Sequence, residues 1–285
     1  MNSRTYEAIE IPCKDNLAVT FLYKSLPGRL LLRLLVNPTV SKPFGALMTR
    51  PASRLYIKRF VKRNNINMKE YNEVKYKSFN DFFIRQIKEG ARSFPYSKND
   101  LAAPCDGKLT AYTITDDSVF HIKNSMYDVA GMLQDRSLAD EFMGGICLIF
   151  RLEPDNYHRY YYIDDGEIVS WKRIDGVLHT VKPISNERYN VYAQNTREYT
   201  VMQTETYGKA IQMEVGALFV GRIINYETSG RVKRGNEKGM FEFGGSTVVM
   251  LFQKGQVTID DSIYVNTQQN KETIVRLGDK IGEKA

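Results

Sequence analysis

The stretch that decides the fold reads Gly244-Gly245-Ser246-Thr247 and continues as Val248-Val249-Met250-Leu251-Phe252. The second half is a run of β-branched and apolar residues, which predicts a buried strand. Two glycines at its entrance allow backbone angles that other residues resist. A strained peptide bond followed by a β-hydroxyl suits an N→O acyl shift, in which the Ser246 hydroxyl attacks the Gly245 carbonyl. A tight turn or bulge leading into a strand is the simpler interpretation, and this stretch alone leaves it open.

The composition around this stretch is that of a globular chain. With 285 residues, 42 % of them hydrophobic and 26 % charged, the chain can bury a sizeable core. Three cysteines without a CxxC or Cys/His cluster favour a reducing compartment, and we expect no metal. The polar first residues do not resemble a secretory signal, and no apolar run reaches the ~18 residues of a spanning helix.

The positive charge is concentrated in one segment. Between Asn16 and Lys69 the sequence has 11 Lys and Arg residues and no Asp or Glu. The chain has 40 basic and 33 acidic residues in total, so the remainder holds 29 basic and 33 acidic, a balance of −4. The net charge of +7 therefore comes entirely from this segment.

The basic segment is also rich in leucine and predicts short helices. We expect one helix from Arg29 to Val36, ended by Pro38, and a second that begins at Ser53. Capping patterns at Asn67 and at Ser78 predict two further starts, the latter opening a helix over residues 79–87. Basic amphipathic helices favour anionic bilayers, so an in-plane membrane anchor is our leading interpretation. A helical subdomain packed on the core and a nucleic-acid surface are the alternatives, although no nucleic-acid motif accompanies the segment.

After Gly90 the pattern changes to short alternating or apolar runs separated by glycine and Asp/Asn turns, which predicts a β-rich body. The fold class we expect is α+β, with an amphipathic helical subdomain at residues 1–90 and a predominantly β catalytic body at 91–285. The last turn, over residues 276–282, looks like a closing hairpin. Strands are expected over residues 146–152, 167–171, 199–204, 210–215, 218–224, 247–252 and 256–259.

Two further stretches carry chemistry that could act with Ser246. Asp106 lies on a loop bounded by proline and glycine, and His158 precedes an arginine shortly after a buried strand. Each residue alone also fits a structural role, since Asp106 could cap a turn and His158 could be a core histidine. An acid, a histidine and a serine far apart in sequence can meet as an activation relay, although sequence alone does not bring them together.

Five motifs, in this order along the chain, resemble the phosphatidylserine decarboxylase family. The similarity extends from about Leu22 to Gly282 and is strongest to the shorter bacterial branch with Gly-Gly-Ser-Thr. The motifs are Phe79-Asn-Asp-Phe-Phe-Ile-Arg, Ala103-Pro-Cys-Asp-Gly-Lys-Leu, Tyr157-His-Arg, Val215-Gly-Ala-Leu-Phe-Val-Gly and Phe243-Gly-Gly-Ser-Thr.

The resemblance implies a proenzyme that cleaves itself between Gly245 and Ser246 into a β chain of 245 residues and an α chain of 40. Ser246 would become a pyruvoyl group, a carbonyl electron sink that condenses with the amine of the substrate. His158 matches the histidine assigned to decarboxylation, and Asp106 matches the acid of the processing triad. Arg159 and Thr247, beside the histidine and the serine, are our candidate substrate-binding residues.

One position departs from the family pattern. The family commonly reads Tyr-His-Arg-x-His, and the second histidine belongs to the self-cleavage triad, but this chain has Tyr161 there. A neutral tyrosine with an ordinary pKa of about 10 is a poor base at pH 7. We hypothesise that His179, within an otherwise apolar stretch, supplies the missing base. The alternative is that His179 is a structural residue.

The sequence therefore predicts a pyruvoyl-dependent lyase that makes phosphatidylethanolamine from phosphatidylserine. We expect a peripheral protein at the cytoplasmic face of the cell membrane, with a phospholipid at an anionic surface and the chain's own two fragments as partners. A homodimer stays an open alternative, and no nucleic-acid partner is expected. Two other functions were considered: the same chemistry on another amino-acid substrate, and an unprocessed, non-catalytic membrane-bound homologue.

Overall fold

The fold is described from a computed structural model that covers residues 6–11, 17–122, 125–218, 222–244 and 246–285. Gly245 and the motif residues 219–221 lie outside these described ranges. The first strand, β1 (Ala8–Glu10), joins the edge of the main sheet.

Short helices follow β1 and make up most of the next 75 residues. Pro38 ends one helix and begins the next, because proline lacks an N–H but suits the first turn of a helix. Segments of 3₁₀-helix at Pro51–Tyr56 and Met68–Glu70 separate the later helices. The helices are α1 (Leu17–Lys24), α2 (Leu26–Leu35), α3 (Pro38–Thr49), α4 (Ile57–Arg63) and α5 (Phe79–Phe83).

The body is built from the strands that follow, with a few short helices between them. The strands are β2 (Asp100–Ala102), β3 (Gly107–Thr113), β4 (Val119–Ile122), β5 (Ser125–Asp128), β6 (Ile146–Leu152), β7 (Arg159–Tyr161), β8 (Gly166–Ile174), β9 (Arg197–Thr204), β10 (Lys209–Gly216), β11 (Ile223–Asn225), β12 (Gly230–Val232), β13 (Glu237–Phe241), β14 (Ser246–Phe252), β15 (Val257–Ile259), β16 (Lys271–Val275) and β17 (Lys280–Lys284). The helices are α6 (Val129–Leu133), α7 (Arg136–Asp140), α8 (Pro183–Asn186), α9 (Val191–Gln194) and α10 (Asp261–Gln268).

Nine strands form one antiparallel sheet in the order β1-β16-β3-β6-β14-β10-β9-β8-β12. β14 lies at its centre, and all seven of its residues are buried. Both faces of the sheet are covered, because one hydrophobic cluster contains Val249 and Leu251 and another contains Val248, Met250 and Phe252. Burial on two faces explains why the sequence of this strand is continuously apolar rather than alternating.

The three-stranded sheet β11-β13-β7 covers one of these faces. Tyr160 of β7, Phe241 of β13 and Ile223 of β11 belong to the same hydrophobic cluster as Val248 of β14. This small sheet therefore lies over the face of the main sheet that carries the even-numbered residues of β14.

The N-terminal helices contact the body on both sides of the β14 entrance. The backbone oxygen of Val36, at the end of α2, accepts a hydrogen bond from Leu178 N at 2.8 Å. Phe79 and Phe83 of α5 pack edge-on against Phe243, each with ring centroids 5.3 Å apart. The mixed α+β class expected from the sequence is confirmed.

Two local expectations need correction. The chain over residues 276–282 does not close a hairpin, because β16 pairs with β3 while β17 pairs with β2 and β15 in a different sheet. Helix α5 ends at Phe83 rather than near residue 87, because the chain turns at Ile84 and Ile87 then bridges to Tyr71.

Candidate active site

Ser246 is the first residue of β14 and lies between two strands. It is paired with Leu152 of β6 on one side and with Gly216 of β10 on the other. The residue is fully buried, and its Oγ has no hydrogen-bond partner within the described part of the chain. The candidate nucleophile is therefore a desolvated hydroxyl held on a central strand. Its neighbour at the predicted cleavage point, Gly245, lies outside the described residues.

His158 lies between β6 and β7 and is also fully buried. Its Nδ1 is 3.0 Å from the backbone oxygen of Asn156, and a carbonyl only accepts, so Nδ1 carries the hydrogen. Nε2 then holds a lone pair, and it has no partner among the described residues. Burial, and to a smaller extent the charge of Arg85, lowers the pKa of His158 to about 3, although the hydrogen bond to Asn156 opposes the shift. The ring is neutral at pH 7.

A set of contacts places His158 beside the chain that leads into β14. The backbone oxygen of His158 accepts from Phe241 N at 2.9 Å, at the end of β13. The Phe83 ring lies 4.0 Å from the His158 ring and 5.3 Å from the Phe243 ring, centroid to centroid. The histidine and the connection to Ser246 thus share Phe83 as a common packing partner.

Asp106 lies immediately before β3 and is held by two donors. Its Oδ1 accepts from Leu277 N at 2.8 Å, and its Oδ2 accepts from Arg92 at 3.3 Å. Arg92 also donates to Glu70 at 2.7 Å, so one guanidinium joins two carboxylates. The contacts of the candidate triad acid are therefore with an arginine and a backbone amide.

The sheet separates Asp106 from Ser246. Strand β6 lies between β3 and β14, and neighbouring strands are ~4.8 Å apart, so the two backbones are about 10 Å apart. The relay expected from the sequence places a third group between the carboxylate and the hydroxyl. The family position for that group is Tyr161, whose hydroxyl lies 3.2 Å from Tyr157 Oη and donates to Glu237 at 3.4 Å. Burial raises the pKa of Tyr161, so the hydroxyl keeps its proton at neutral pH and the basic phenolate form is rarer still.

The ring of His179 is packed under the N-terminal helices. It stacks on Tyr189 with ring centroids 4.0 Å apart, and its Nδ1 is 3.2 Å from Tyr23 Oη. The Tyr23 hydroxyl also accepts from Thr180 N at 3.0 Å, and the tautomer of the ring sets whether it donates to Nδ1 or accepts from it. Burial lowers the pKa of His179 to about 4 and keeps the ring neutral. In this arrangement Tyr23 Oη is the hydrogen-bond partner of Nδ1.

The backbone of His179 is nevertheless linked to the Ser246 end of the sheet. The side-chain amide of Asn195 donates to His179 O at 2.8 Å and to Gly216 O at 2.7 Å. Gly216 is the residue opposite Ser246 on β10. One amide thus joins the His179 segment to the direct neighbour of the candidate nucleophile, and the role of the His179 ring stays a prediction.

The two candidate substrate-binding residues have different surroundings. Arg159 is nearly buried, pairs with Glu237 and donates to Ile84 O at 2.7 Å. Thr247 is fully buried, and its Oγ1 has no partner within the described ranges. Because side chains alternate along a strand, Thr247 faces the side of the sheet opposite to Ser246.

The structure also shows a buried ion pair that the sequence analysis did not identify. Lys238 Nζ lies 2.9 Å from both carboxylate oxygens of Glu214 and 2.6 Å from Asn225 Oδ1. Glu214 is two residues before Gly216 on β10, so it lies on the same face of the sheet as Ser246. The sequence did contain a signal for this ion pair. Glu214 is a single acidic residue within an apolar strand, and a charge buried there needs a partner.

Together these side chains define a class of protein. It is an α+β enzyme whose candidate nucleophile is a buried serine at the entrance of a central strand, with a neutral imidazole nearby. Within the ranges that the structure describes, no group of three or more His, Cys, Asp or Glu side chains is placed to hold a metal ion.

Comparisons with known proteins agree with this class. The family model described as phosphatidylserine decarboxylase matches residues 79–283. A phosphatidylserine decarboxylase proenzyme 2 of Clostridium acetobutylicum is 46 % identical over 264 residues, which is 92 % of this chain and 90 % of that protein. A phosphatidylserine decarboxylase proenzyme of Fusobacterium nucleatum is 38 % identical over 271 residues, 93 % of this chain and 90 % of that protein.

The chain belongs to the phosphatidylserine decarboxylase family, which consists of carboxy-lyases. The family resemblance, the enzyme class and the decarboxylase function expected from the sequence are thereby confirmed. The two other functions considered, a different amino-acid substrate and a non-catalytic homologue, are not favoured by these matches.

The buried neutral state of His158 makes stability depend on pH. Its pKa is about 3 in the folded chain and about 6.5 when unfolded, so only the unfolded chain takes up this proton between those values. The stabilisation is complete above pH 6.5 and is lost as the pH falls towards 3. We expect the His158 contribution to fall by about 2 kcal/mol between pH 6.5 and 5. Urea unfolding of wild type and His158→Asn at both pH values measures it.

The asparagine variant keeps an N–H donor for Asn156 O and removes the titrating ring. Its loss of stability between the two pH values should be about 2 kcal/mol smaller than that of wild type. His121→Asn, which replaces an exposed histidine on β4, is the matched control. Equal losses in wild type and His158→Asn would contradict the prediction.

Proposed function

We propose that this chain cleaves itself between Gly245 and Ser246 and then uses a pyruvoyl group at residue 246 to decarboxylate phosphatidylserine to phosphatidylethanolamine. The observation that carries the proposal is the buried Ser246 hydroxyl, which lacks a partner in the described structure and opens a central strand. It occurs in a chain 46 % identical to a relative named as a phosphatidylserine decarboxylase proenzyme.

The residues present fit a pyruvoyl group at position 246. The Ser246 hydroxyl is already out of water, and the nearby His158 Nε2 also has no partner among the described side chains. A break before Ser246 would leave the rest of the fold joined, because β14 pairs along its whole length with β6 and β10. The two fragments of the chain are therefore expected to remain one molecule.

When present, a pyruvoyl group supplies an electron-withdrawing carbonyl that stabilises the negative charge left by departing CO₂. His158 is suited to the proton transfer that completes the reaction. Its Nδ1 donates to the backbone oxygen of Asn156, which fixes the tautomer, so Nε2 is the ring nitrogen left to exchange a proton with the substrate. Burial by itself keeps the ring neutral, because it lowers the pKa of His158. A substrate anion beside it favours the imidazolium, because an opposite charge stabilises the charged form.

Self-cleavage requires a base that takes the proton of the Ser246 hydroxyl. The described hydrogen bonds of Asp106 are with Arg92 and Leu277 N and not with Ser246, and the phenol of Tyr161 is a weak base. We propose His179 for this role, since its neutral ring belongs to a segment joined through Asn195 to the strand beside Ser246. For Nδ1 to accept the proton, Tyr23 must move away from it, because its hydroxyl lies 3.2 Å from that nitrogen in the described conformation.

The proposed substrate lies in a membrane, and the N-terminal helices supply a surface for docking. Large apolar side chains of α1 and α2 are exposed, among them Leu17 at 89 %, Leu26 at 72 % and Leu30 at 66 %. Among the described residues no helix is both long and apolar enough to cross a membrane. The exposed leucines and the acid-free basic charge support peripheral binding to the anionic, cytoplasmic face of the cell membrane.

Cleavage and pyruvoyl formation can be tested by intact mass spectrometry. Wild type should give two chains, the smaller of about 5 kDa at ~110–115 Da per residue, beginning with a keto acid. Ser246→Ala should give one uncut chain of 32.8 kDa without decarboxylase activity. Thr258→Ala, an exposed position in the same fragment, should be cut and active. A single chain in active wild type would refute the mechanism.

The base can be tested on a denaturing gel that follows the appearance of the small fragment. His179→Ala should stop its appearance, because the proposed proton acceptor is gone. Tyr23→Phe keeps the ring and removes the hydroxyl that occupies Nδ1, so it should be cut at least as fast as wild type. Normal cleavage of His179→Ala, or equal loss in both variants, would exclude His179 as the base.

Membrane docking can be tested by co-sedimentation with anionic vesicles at low salt. Reversal of the charges of Arg59, Lys62 and Arg63 on α4 should lower binding, because each basic group near an anionic surface contributes about 1 kcal/mol. Reversal of Lys209, Lys254 and Lys284, on strands and turns of the body, is the matched control. Unchanged co-sedimentation of the α4 variant would contradict docking through this helix.

A further inference from the structure

A cavity lies between the end of helix α5 and the chain over residues 72–77. Its volume is about 320 Å³. Basic side chains predominate in its wall, and Asp81 is the one acid among the residues that line it. The basic residues are Lys75, Lys77, Arg85 and Arg159.

Arg85 is the unusual member of this wall, since only 2 % of its surface is exposed. Its guanidinium carbon lies 4.4 Å from the ring centroid of Tyr71 and 4.9 Å from that of Phe82. Nη2 donates to the backbone oxygens of Asp155 at 2.8 Å and Asn156 at 3.1 Å. Nε and Nη1 have no partner in the described chain. Three of the five N–H bonds are therefore buried and unpaired.

Tyr76 adds a further unpaired donor to the same cavity. Its hydroxyl is buried without a partner among the described residues, while its ring packs edge-on against Phe82 at 5.4 Å. Burial raises the pKa of Tyr76, so the hydroxyl keeps its proton at neutral pH, and the charge of Arg85 opposes that shift. Tyr76 and Arg85 are thus two buried donors beside one cavity.

Within the described ranges Arg85 makes no ion pair with a carboxylate, although its charge opposes the effect of burial on the pKa of Asp155. All its hydrogen bonds are to neutral oxygens, those of two backbone carbonyls and of Tyr71. Asp81 already accepts from Lys77 N at 2.7 Å, and Arg159 is paired with Glu237. A buried charge without a counterion is costly, and so is a buried donor without an acceptor. An oxyanion in the cavity would relieve both costs.

We propose that Arg85 and Tyr76 form a binding site for an oxyanion, a phosphate or a carboxylate group, with Lys75 and Lys77 at its rim. Two sources can supply that group. One is the headgroup of the lipid substrate, which carries both a phosphodiester and a carboxylate. The other is free inorganic phosphate. The donors are the same for both sources, and only the occupant differs.

The proposed oxyanion site is linked to His158 through one backbone carbonyl. The backbone oxygen of Asn156 accepts from Arg85 Nη2 and also from His158 Nδ1, so the guanidinium and the imidazole share one acceptor. An oxyanion bound to Arg85 would offset part of the positive charge that acts on His158. For the headgroup source, this inference rests on the proposed function. In that case the substrate itself would make the protonated form of His158 more accessible.

Calorimetric titration at low ionic strength tests the site without turnover. The protein is full-length Ser246→Ala, and the probes are inorganic phosphate, glycerophosphoserine, glycerophosphoethanolamine and L-serine. We expect saturable binding of at least one probe. Glycerophosphoethanolamine keeps the phosphodiester without the carboxylate, and serine keeps the carboxylate without the phosphate. The four affinities therefore identify the group that is bound and its source.

Two variants in the same background decide whether Arg85 and Tyr76 hold the anion. Tyr76→Phe removes only the unpaired hydroxyl, so the fold should be retained while affinity falls about tenfold, as for a lost hydrogen bond to a charged group. Arg85→Lys keeps the charge, loses the planar donors and should weaken binding at least as much. Arg136→Gln, at an exposed arginine on α7, is the matched control and should bind as the parent does.

Each outcome has a defined meaning. Headgroup probes that bind more tightly than phosphate, and that lose affinity in both variants, support the lipid source. Phosphate that binds as tightly as the headgroups, with the same losses, supports a free oxyanion. No saturable binding of any probe, or equal affinity in the parent and both variants, overturns the site. Because binding is measured without catalysis, this failure is distinguishable from failure of the self-cleavage reaction.

Discussion

The structure depends on the double pairing of β14. Each of its seven residues has a partner on β6 and another on β10, so the strand is fixed from both sides. This places the Ser246 hydroxyl in the interior, at the row of the sheet that also contains Leu152 and Gly216. It also accounts for how a chain cut before Ser246 would stay together, because the ladder hydrogen bonds do not depend on the peptide bond before the strand.

Several unpaired buried polar atoms of the described chain lie at this entrance and beside the adjoining helix α5. Buried polar atoms almost always have partners in native proteins, since an unmade hydrogen bond is costly. Ser246 Oγ, Thr247 Oγ1 and His158 Nε2 depart from that rule within the described structure, and so do two guanidinium nitrogens of Arg85. Binding and catalysis account for such exceptions, because a ligand or a reacting group supplies the missing partner.

The charged residues near the site divide into paired and unpaired sets. Lys238 and Glu214 neutralise each other in the interior, and removal of either partner would leave an uncompensated charge. Asp106 is paired with Arg92, which holds the loop before β3 by a salt bridge. Arg85 has no carboxylate partner among the described contacts, and it borders the cavity beside α5 with two unpaired guanidinium nitrogens.

The sequence by itself determined the α+β class, the buried strand after Gly244 and the family, because apolar runs and ordered motifs are local properties of the chain. Only the tertiary structure decided what each polar side chain contacts. Asp106 bonds to a backbone amide 171 positions away, and the His179 ring bonds to a tyrosine 156 positions away. Such contacts follow from how the helices and sheets pack, and residue type and spacing do not encode them. Arg85 is an example. The sequence shows it within the motif that begins at Phe79, but only the tertiary structure shows that two of its nitrogens are buried without a partner among the described residues.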